Sequence, residues 1–196
     1  MILSNLSIQA ALDQGRLIID PEPTPRKLQF GQAYCPYDTH SVDLRLHDEI
    51  SIPTASAFNY DLTSEGSLAE LISKHSEKCK LKSNQPVIME RGQFMLGRTI
   101  EVINLPIDRG KPYLAARIEG KSSRARCGIL VHFTAPTVHP GFKGPLTLEM
   151  INLGPSKFAL YPGMPIAQLI IEEVAGDLFE NPSQFQNQSS PEGLPK

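Results

Sequence analysis

After Pro86 the chain is a succession of short apolar-rich segments, 87–89, 94–103, 113–118, 129–134, 146–152, 158–161 and 166–174, cut by Gly, Pro or Asn-Leu-Gly breaks. Turn signals at intervals of roughly 8–12 residues leave no room for long helices. They specify a mainly β fold: a sandwich, a jelly roll or a distorted barrel. Fourteen glycines and seventeen prolines among 196 residues exceed the usual share of about 12% and fit a chain full of turns. Upstream, Ser41-Val-Asp-Leu-Arg-Leu46 alternates polar and apolar, as a half-buried strand does.

Two helical patterns remain, and both are short. Ile8, Ala11 and Leu12 fall at i, i+3, i+4 after Ser4, a natural N-cap, and before Gly15, a natural stop. Ser67 and Glu70 form a capping-box pair ahead of a stripe of Leu68, Leu71 and Ile72. Residues 20–40 carry Pro21, Pro23, Pro25, Gly31 and Pro36 and are expected to be irregular. Residues 1–180 read as one domain with peripheral helices. The polar stretch 181–196 reads as a flexible tail.

Nineteen Lys and Arg against 21 Asp and Glu give a formal charge of −2. Non-specific nucleic-acid binding needs a cationic excess, so any anion site here must be local. No apolar run approaches the ~18–20 residues of a bilayer span, and the N-terminus lacks a basic, apolar leader pattern. Cys35, Cys79 and Cys127 are odd in number and scattered, which argues against a disulfide framework. The expectation is a soluble cytoplasmic protein with neither nucleic-acid nor membrane partner.

The stretch from Glu119 to Glu149 carries the chemistry. Gly120-Lys-Ser-Ser-Arg-Ala-Arg-Cys-Gly128 joins two expected strands by a turn with two hydroxyls and three cationic side chains. Free N–H groups at such a turn, with Lys121 and Arg124 beside them, suit a phosphate. If the turn is helical, Ser122 and Arg126 share a face. By pattern alone a solvated cap with ordinary surface charges is the commoner outcome. In Leu146-Thr-Leu-Glu-Met-Ile151, alternation puts Leu146, Leu148 and Met150 on one face and Thr147, Glu149 and Ile151 on the other. A carboxylate in an apolar strand is costly to bury alone, so Glu149 reaches solvent or has a partner. Burial would raise its pKa toward the range useful for proton transfer, and an adjacent Arg would lower it. His139, before Pro140-Gly141, is a base, a sugar contact or an exposed turn residue.

Together these segments resemble the dCTP deaminase branch of the trimeric dUTPase-like superfamily. The resemblance rests on Gly120–Gly128, Val131-His-Phe-Thr-Ala135, Pro140-Gly-Phe-Lys-Gly144 and Leu146-Thr-Leu-Glu-Met150, with Asn152-Leu-Gly-Pro155, Leu160-Tyr-Pro-Gly-Met164 and Ile166-Ala-Gln-Leu169 downstream. Met1-Ile-Leu-Ser4 and Ser41–Leu46 fit it upstream. It implies a homotrimer of distorted β-barrel or jelly-roll subunits with three active sites at subunit interfaces. The implied reaction is hydrolytic deamination of dCTP to dUTP and ammonia, with dTTP as a regulatory ligand. Glu149 would shuttle protons, while Ser122 and Arg126 position the water and the exocyclic group. Lys121, Ser123 and Arg124 would cradle the triphosphate. Thr147 and Leu148 would border the base and His139 the sugar, Gln168 and Gln188 would close over the nucleotide, and Ala135 would be a further substrate contact.

The zinc deaminases need an H-x-E…P-C-x-x-C ligand set, and the five His and three Cys of this chain form no such pattern. The expectation is therefore no zinc and no tightly bound cofactor, with Mg²⁺ only as counter-ion of the triphosphate. His139 stands where the family usually carries an Asp, which favours deamination alone over a dUMP-forming deaminase–pyrophosphatase. Gln184 stands for an expected Lys, and Phe179 for an expected Tyr. A non-catalytic nucleotide-binding trimer is the third reading.

Overall fold

The computed structural model describes residues 1–54, 68–181, 183 and 185–195. Helix α1, Asn5–Asp13, starts where Ser4 accepts a hydrogen bond from the Ser7 amide at 3.3 Å. It buries Ile8 and Ala11. The chain leaves it through Gly15 at φ +65°, with the Arg16 amide returning to the Ala11 carbonyl at 2.9 Å. The second helical pattern is α2, Leu68–Lys74. Ser67 lies outside the described residues, so its cap does too. The apolar stripe is shifted by one position: Ala69 is buried, Leu71 and Ile72 are half-buried, and Leu68 is exposed. Three of these seven residues are charged or hydroxylated, and the small Ala lets the helix lie close to the sheet.

Twelve strands are present among the described residues: β1 Ile18–Asp20, β2 Val42–Arg45, β3 Glu49–Pro53, β4 Ser76–Lys80, β5 Val87–Met89, β6 Phe94–Asn104, β7 Tyr113–Gly120, β8 Ile129–Val131, β9 Thr137–Val138, β10 Lys143–Asn152, β11 Phe158–Leu160 and β12 Pro165–Val174. One sheet runs β4-β3-β6-β10-β8 with β1 beside β6; another runs β2-β12-β7-β9; β11 and β5 form a two-stranded ribbon. The fold is mainly β as expected, and since the sheets do not close on themselves the arrangement is jelly-roll-like. Both larger sheets feed one core, from Leu44, Ile118 and Leu169 on one side to Ile50, Met95, Leu148 and Met150 on the other. Burying each such side chain is worth about 1.5–3 kcal/mol, which drives the two sheets together.

Strands β1, β3, β4 and β9 escape the sequence pattern. Ser76-Glu-Lys-Cys-Lys80 has almost no apolar residue and is held only as an edge, pairing in register with β3 from Glu49↔Lys80 to Pro53↔Ser76. Charged edge strands of this kind resist unwanted pairing. The stretch 129–134 is cut short at Val131 because His132 takes φ +56°, which no continuing strand permits.

Described residues of the 181–196 stretch contact the body. The Asn187 amide bonds the Lys143 carbonyl at 2.8 Å, and Gln188 Nε2 donates to the Pro145 carbonyl at 2.7 Å. Glu192 is buried further on. Gln184 lies outside the described residues, and Phe179 is exposed.

Candidate active site

Strand β10 presents Glu149 as its alternation requires. Leu146, Leu148, Met150 and Asn152 are buried, and Thr147, Glu149 and Ile151 lie on the half-exposed face. Against β6 the register is Thr147↔Arg98, Leu148↔Gly97 and Glu149↔Leu96, with a bulge between Pro145 and Thr147. The bulge falls beside Pro145, which has no N–H for the ladder. The Thr99 hydroxyl covers the gap by accepting the Leu146 amide at 2.9 Å.

Beside Glu149 stands a residue the sequence reading gave no role. His132 donates its amide to the Glu149 carbonyl at 2.7 Å, so its left-handed backbone turns the ring back over the strand. Nδ1 comes within 2.5 Å of Glu149 Oε2, and Nε2 within 2.7 Å of the Ala135 carbonyl. The Nδ1 contact is an ion pair off the line of a good hydrogen bond, and neither atom has another partner. Two ring nitrogens facing two acceptors call for the imidazolium. Burial pulls the His132 pKa down, but the Glu149 carboxylate and the Ala135 and Thr147 carbonyls outweigh it, and the net shift is upward from 6.5. The folded chain therefore holds this proton more tightly than the unfolded one. The stability that His132 contributes through this proton is present below pH 6.5 and is lost as pH rises through the raised value. A ¹H–¹⁵N titration should place the His132 midpoint above 6.5, and in Glu149→Gln it should fall; an unmoved midpoint would break the pairing.

The tail covers the same face. Gln188 is buried, with its Oε1 3.5 Å from the Thr147 hydroxyl. Between tail and strands lies a 560 Å³ cleft lined in part by Arg98, Lys143, Pro145 and Gln188. Leu148 is fully buried in the core, so only its backbone can border a ligand. Ala135 and His139 are exposed in the loop between β8 and β10.

A second group gathers around α3, Ser122–Ala125, a single turn after β7. The Arg126 amide bonds the Ser122 carbonyl at 3.1 Å, so these two residues share a face as expected. Ser122, Ser123 and Arg126 are exposed, and Arg124 Nε is buried without a partner. Lys121 pairs through Nζ with buried Asp43. Gln168 is half-buried on β12, in register with Asp43 on one side and Glu119 on the other. Among the described residues no hydrogen bond or ion pair joins Glu149 to Ser122 or Arg126.

Strand pairing could have revealed His132: Met150 pairs with Val131, so the next residue along β8 meets Glu149. Asp43 gave no comparable sign, because its partner is 78 positions away. Among the described residues, the one cluster of three metal-capable side chains is His47, Asp48 and Glu49. Arg98 already bonds Glu49 Oε2 and His47 Nε2, each at 2.8 Å, so this is an ion-pair cluster.

A family model described as dCTP deaminase-like matches residues 2–174. The chain belongs to that family. It is 36% identical over 197 residues to a protein of Dictyoglomus thermophilum named dCTP deaminase, dUMP-forming, covering 97% of this chain and 92% of that one. It is 35% identical over 198 residues to a dCTP deaminase of Natronomonas pharaonis, covering 98% and 93%. In structure it resembles the crystal structure of 2′-deoxycytidine 5′-triphosphate deaminase from Agrobacterium tumefaciens, with a TM-score of 0.61 at 18% identity. That alignment takes in 91% of this chain and 49% of the longer one, and supports the fold. Among the described residues no helix is long and apolar enough to cross a membrane.

Proposed function

We propose that this chain deaminates dCTP hydrolytically to dUTP and ammonia, as a cytoplasmic homotrimer whose sites form between neighbouring subunits. The observation that carries it is Glu149, a half-exposed carboxylate on β10 paired with the His132 ring, in a chain whose relatives are named dCTP deaminase. Glu149 takes a proton from water as the oxygen attacks C4 of cytosine. It then delivers protons to the ring nitrogen and the departing amine, so that water and dCTP balance dUTP and ammonia. A positioned carboxylate of this kind contributes about 10²–10⁴-fold.

Ser122 and Arg126 of a neighbouring subunit orient the water and the exocyclic group. Their exposure within one chain, and the lack among the described residues of any hydrogen bond or ion pair from either to Glu149, support that division of labour. Lys121, Ser123 and Arg124 receive the triphosphate, which arrives with Mg²⁺ as part of the substrate. Ala135, His139, Thr147, Gln168 and Gln188 surround base and sugar, and the tail acts as a cover. dTTP is a further ligand for the same site.

A second reading, deamination followed by pyrophosphate loss to dUMP, is favoured by the dUMP-forming names among the relatives. His139 opposes it, since an imidazole is a poor replacement for the anionic carboxylate expected there. Incubation with dCTP and Mg²⁺ should release ammonia and accumulate dUTP. Accumulation of dUMP and pyrophosphate would instead establish the bifunctional reading, and absence of any turnover would end both.

A further inference from the structure

The proline-rich segment 20–40 has no part in the proposed chemistry, yet it reaches the phosphate-binding turn. Asp43, on β2, is only 5% exposed. Both of its carboxylate oxygens are taken: Oδ1 by Lys121 Nζ, and Oδ2 by the Tyr34 hydroxyl at 2.7 Å. Tyr34 is held in place by its own loop. The Asp43 amide bonds the Pro36 carbonyl at 2.8 Å, and Tyr37 bridges to Val42. Tyr37 in turn donates to Glu22 Oε1 at 3.2 Å, and Cys35 to the Pro25 carbonyl at 3.3 Å.

From this geometry we infer that Tyr34 is a positioning residue for triphosphate binding, acting through Asp43 to aim the Lys121 ammonium. The inference rests on the proposed phosphate role of Lys121. A buried carboxylate must have its lone pairs answered, or it swings toward whatever cation is near. With Tyr34 holding Oδ2, Asp43 offers Lys121 a single fixed oxygen. An ammonium has three N–H donors, so two remain for ligand oxygens at the residue that opens α3. Burial first, and the Asp43 bond second, push the Tyr34 hydroxyl well above its ordinary range, so it stays a donor. Without it, Oδ2 turns to the ammonium as well and draws it away from the ligand.

The test compares wild type, Tyr34→Phe and Asp43→Asn. Tyr34 is about half exposed, so Phe should leave the melting temperature near that of wild type. One hydrogen bond to a charged group is worth about tenfold or more, and only part of that reaches a ligand held at one remove through Asp43 and Lys121. KM for dCTP should therefore rise about three- to tenfold in Tyr34→Phe with kcat within twofold, and further in Asp43→Asn. Inhibition by inorganic tripolyphosphate should weaken in parallel, and inhibition by deoxycytidine should not. An unchanged KM, a fall in kcat alone, or equal loss with deoxycytidine overturns the inference. If the wild type does not turn over dCTP, the functional proposal fails by itself; calorimetry with tripolyphosphate then decides this one. Weaker binding by Tyr34→Phe upholds it, and equal binding or no wild-type binding overturns it.

Discussion

Glu149→Gln should lower kcat for dCTP deamination by about 10²–10⁴-fold while leaving dCTP affinity within a few-fold. Gln keeps the shape and the hydrogen-bonding reach of the side chain but cannot carry a proton. The site around it would persist, because the β10 alternation and the buried Leu148 and Met150 on either side hold the backbone. A drop in kcat at constant affinity is the signature of a group that acts in the transition state. Arg126→Ala should be similarly inactive for a different reason, loss of the group that orients the exocyclic amine. Co-refolding the two inactive variants should then restore measurable turnover, since in the proposed trimer a mixture would leave some interfaces with both halves intact. Retention of wild-type rate by Glu149→Gln would end the proton-shuttle assignment. Failure of the mixture to recover, with trimers verified by sedimentation, would end the shared site.

Gly154→Ala should be the most damaging small substitution, at roughly 3 kcal/mol or more. The α3 turn ends where Gly128, at φ +94°, lies against Gly154. A Cβ on Gly154 would come within 2.0 Å of the Cys127 carbonyl oxygen, and one on Gly128 within 2.3 Å of Gly154 backbone atoms. Both obstacles are backbone, which cannot rotate aside. The neighbourhood is also rigid: Asn152 is fully buried, accepts the Gly154 amide at 2.9 Å and donates to the Ser156 and Met89 carbonyls at 2.8 and 3.2 Å. The Leu153 amide bonds the Gly128 carbonyl at 2.8 Å. Relief requires moving either the α3 turn or the end of β10. For a chain of this size the loss corresponds to a fall in Tm of roughly 6–12 °C, read by circular dichroism. A melting temperature within 2 °C of wild type, roughly the shift for under 1 kcal/mol, would show that the corner yields easily.

Much of this fold follows from local pattern. Breaks at Gly and Pro mark off β5, β7, β10, β11 and β12 because each strand is short and apolar between turn residues. The placement of Glu149 beside Thr147 and opposite Leu148 needs nothing beyond a period of two. Ser4 and Gly15 bound α1 through contacts that never leave the segment. The four strands that escaped are two to five residues long, too short to show a period of their own. Ser76–Lys80 is polar and exists because β3 offers an open edge.

The candidate site divides along the same line. Residue types suited to phosphate and proton transfer, at Ser122, Arg126 and Glu149, are properties of the chain as written. Their partners are not, because hydrogen bonds and close approaches join residues far apart in sequence. Asp43 meets Lys121 across 78 positions, and Gln188 meets Pro145 across 43. His132 reaches Glu149 only because β8 pairs with β10 and the backbone turns left-handed there. Side-chain alternation and turn chemistry act within a few residues, and one sequence can specify them unaided. Which carboxylate faces which cation is decided when two sheets bury their apolar faces together, and the fold alone determines that.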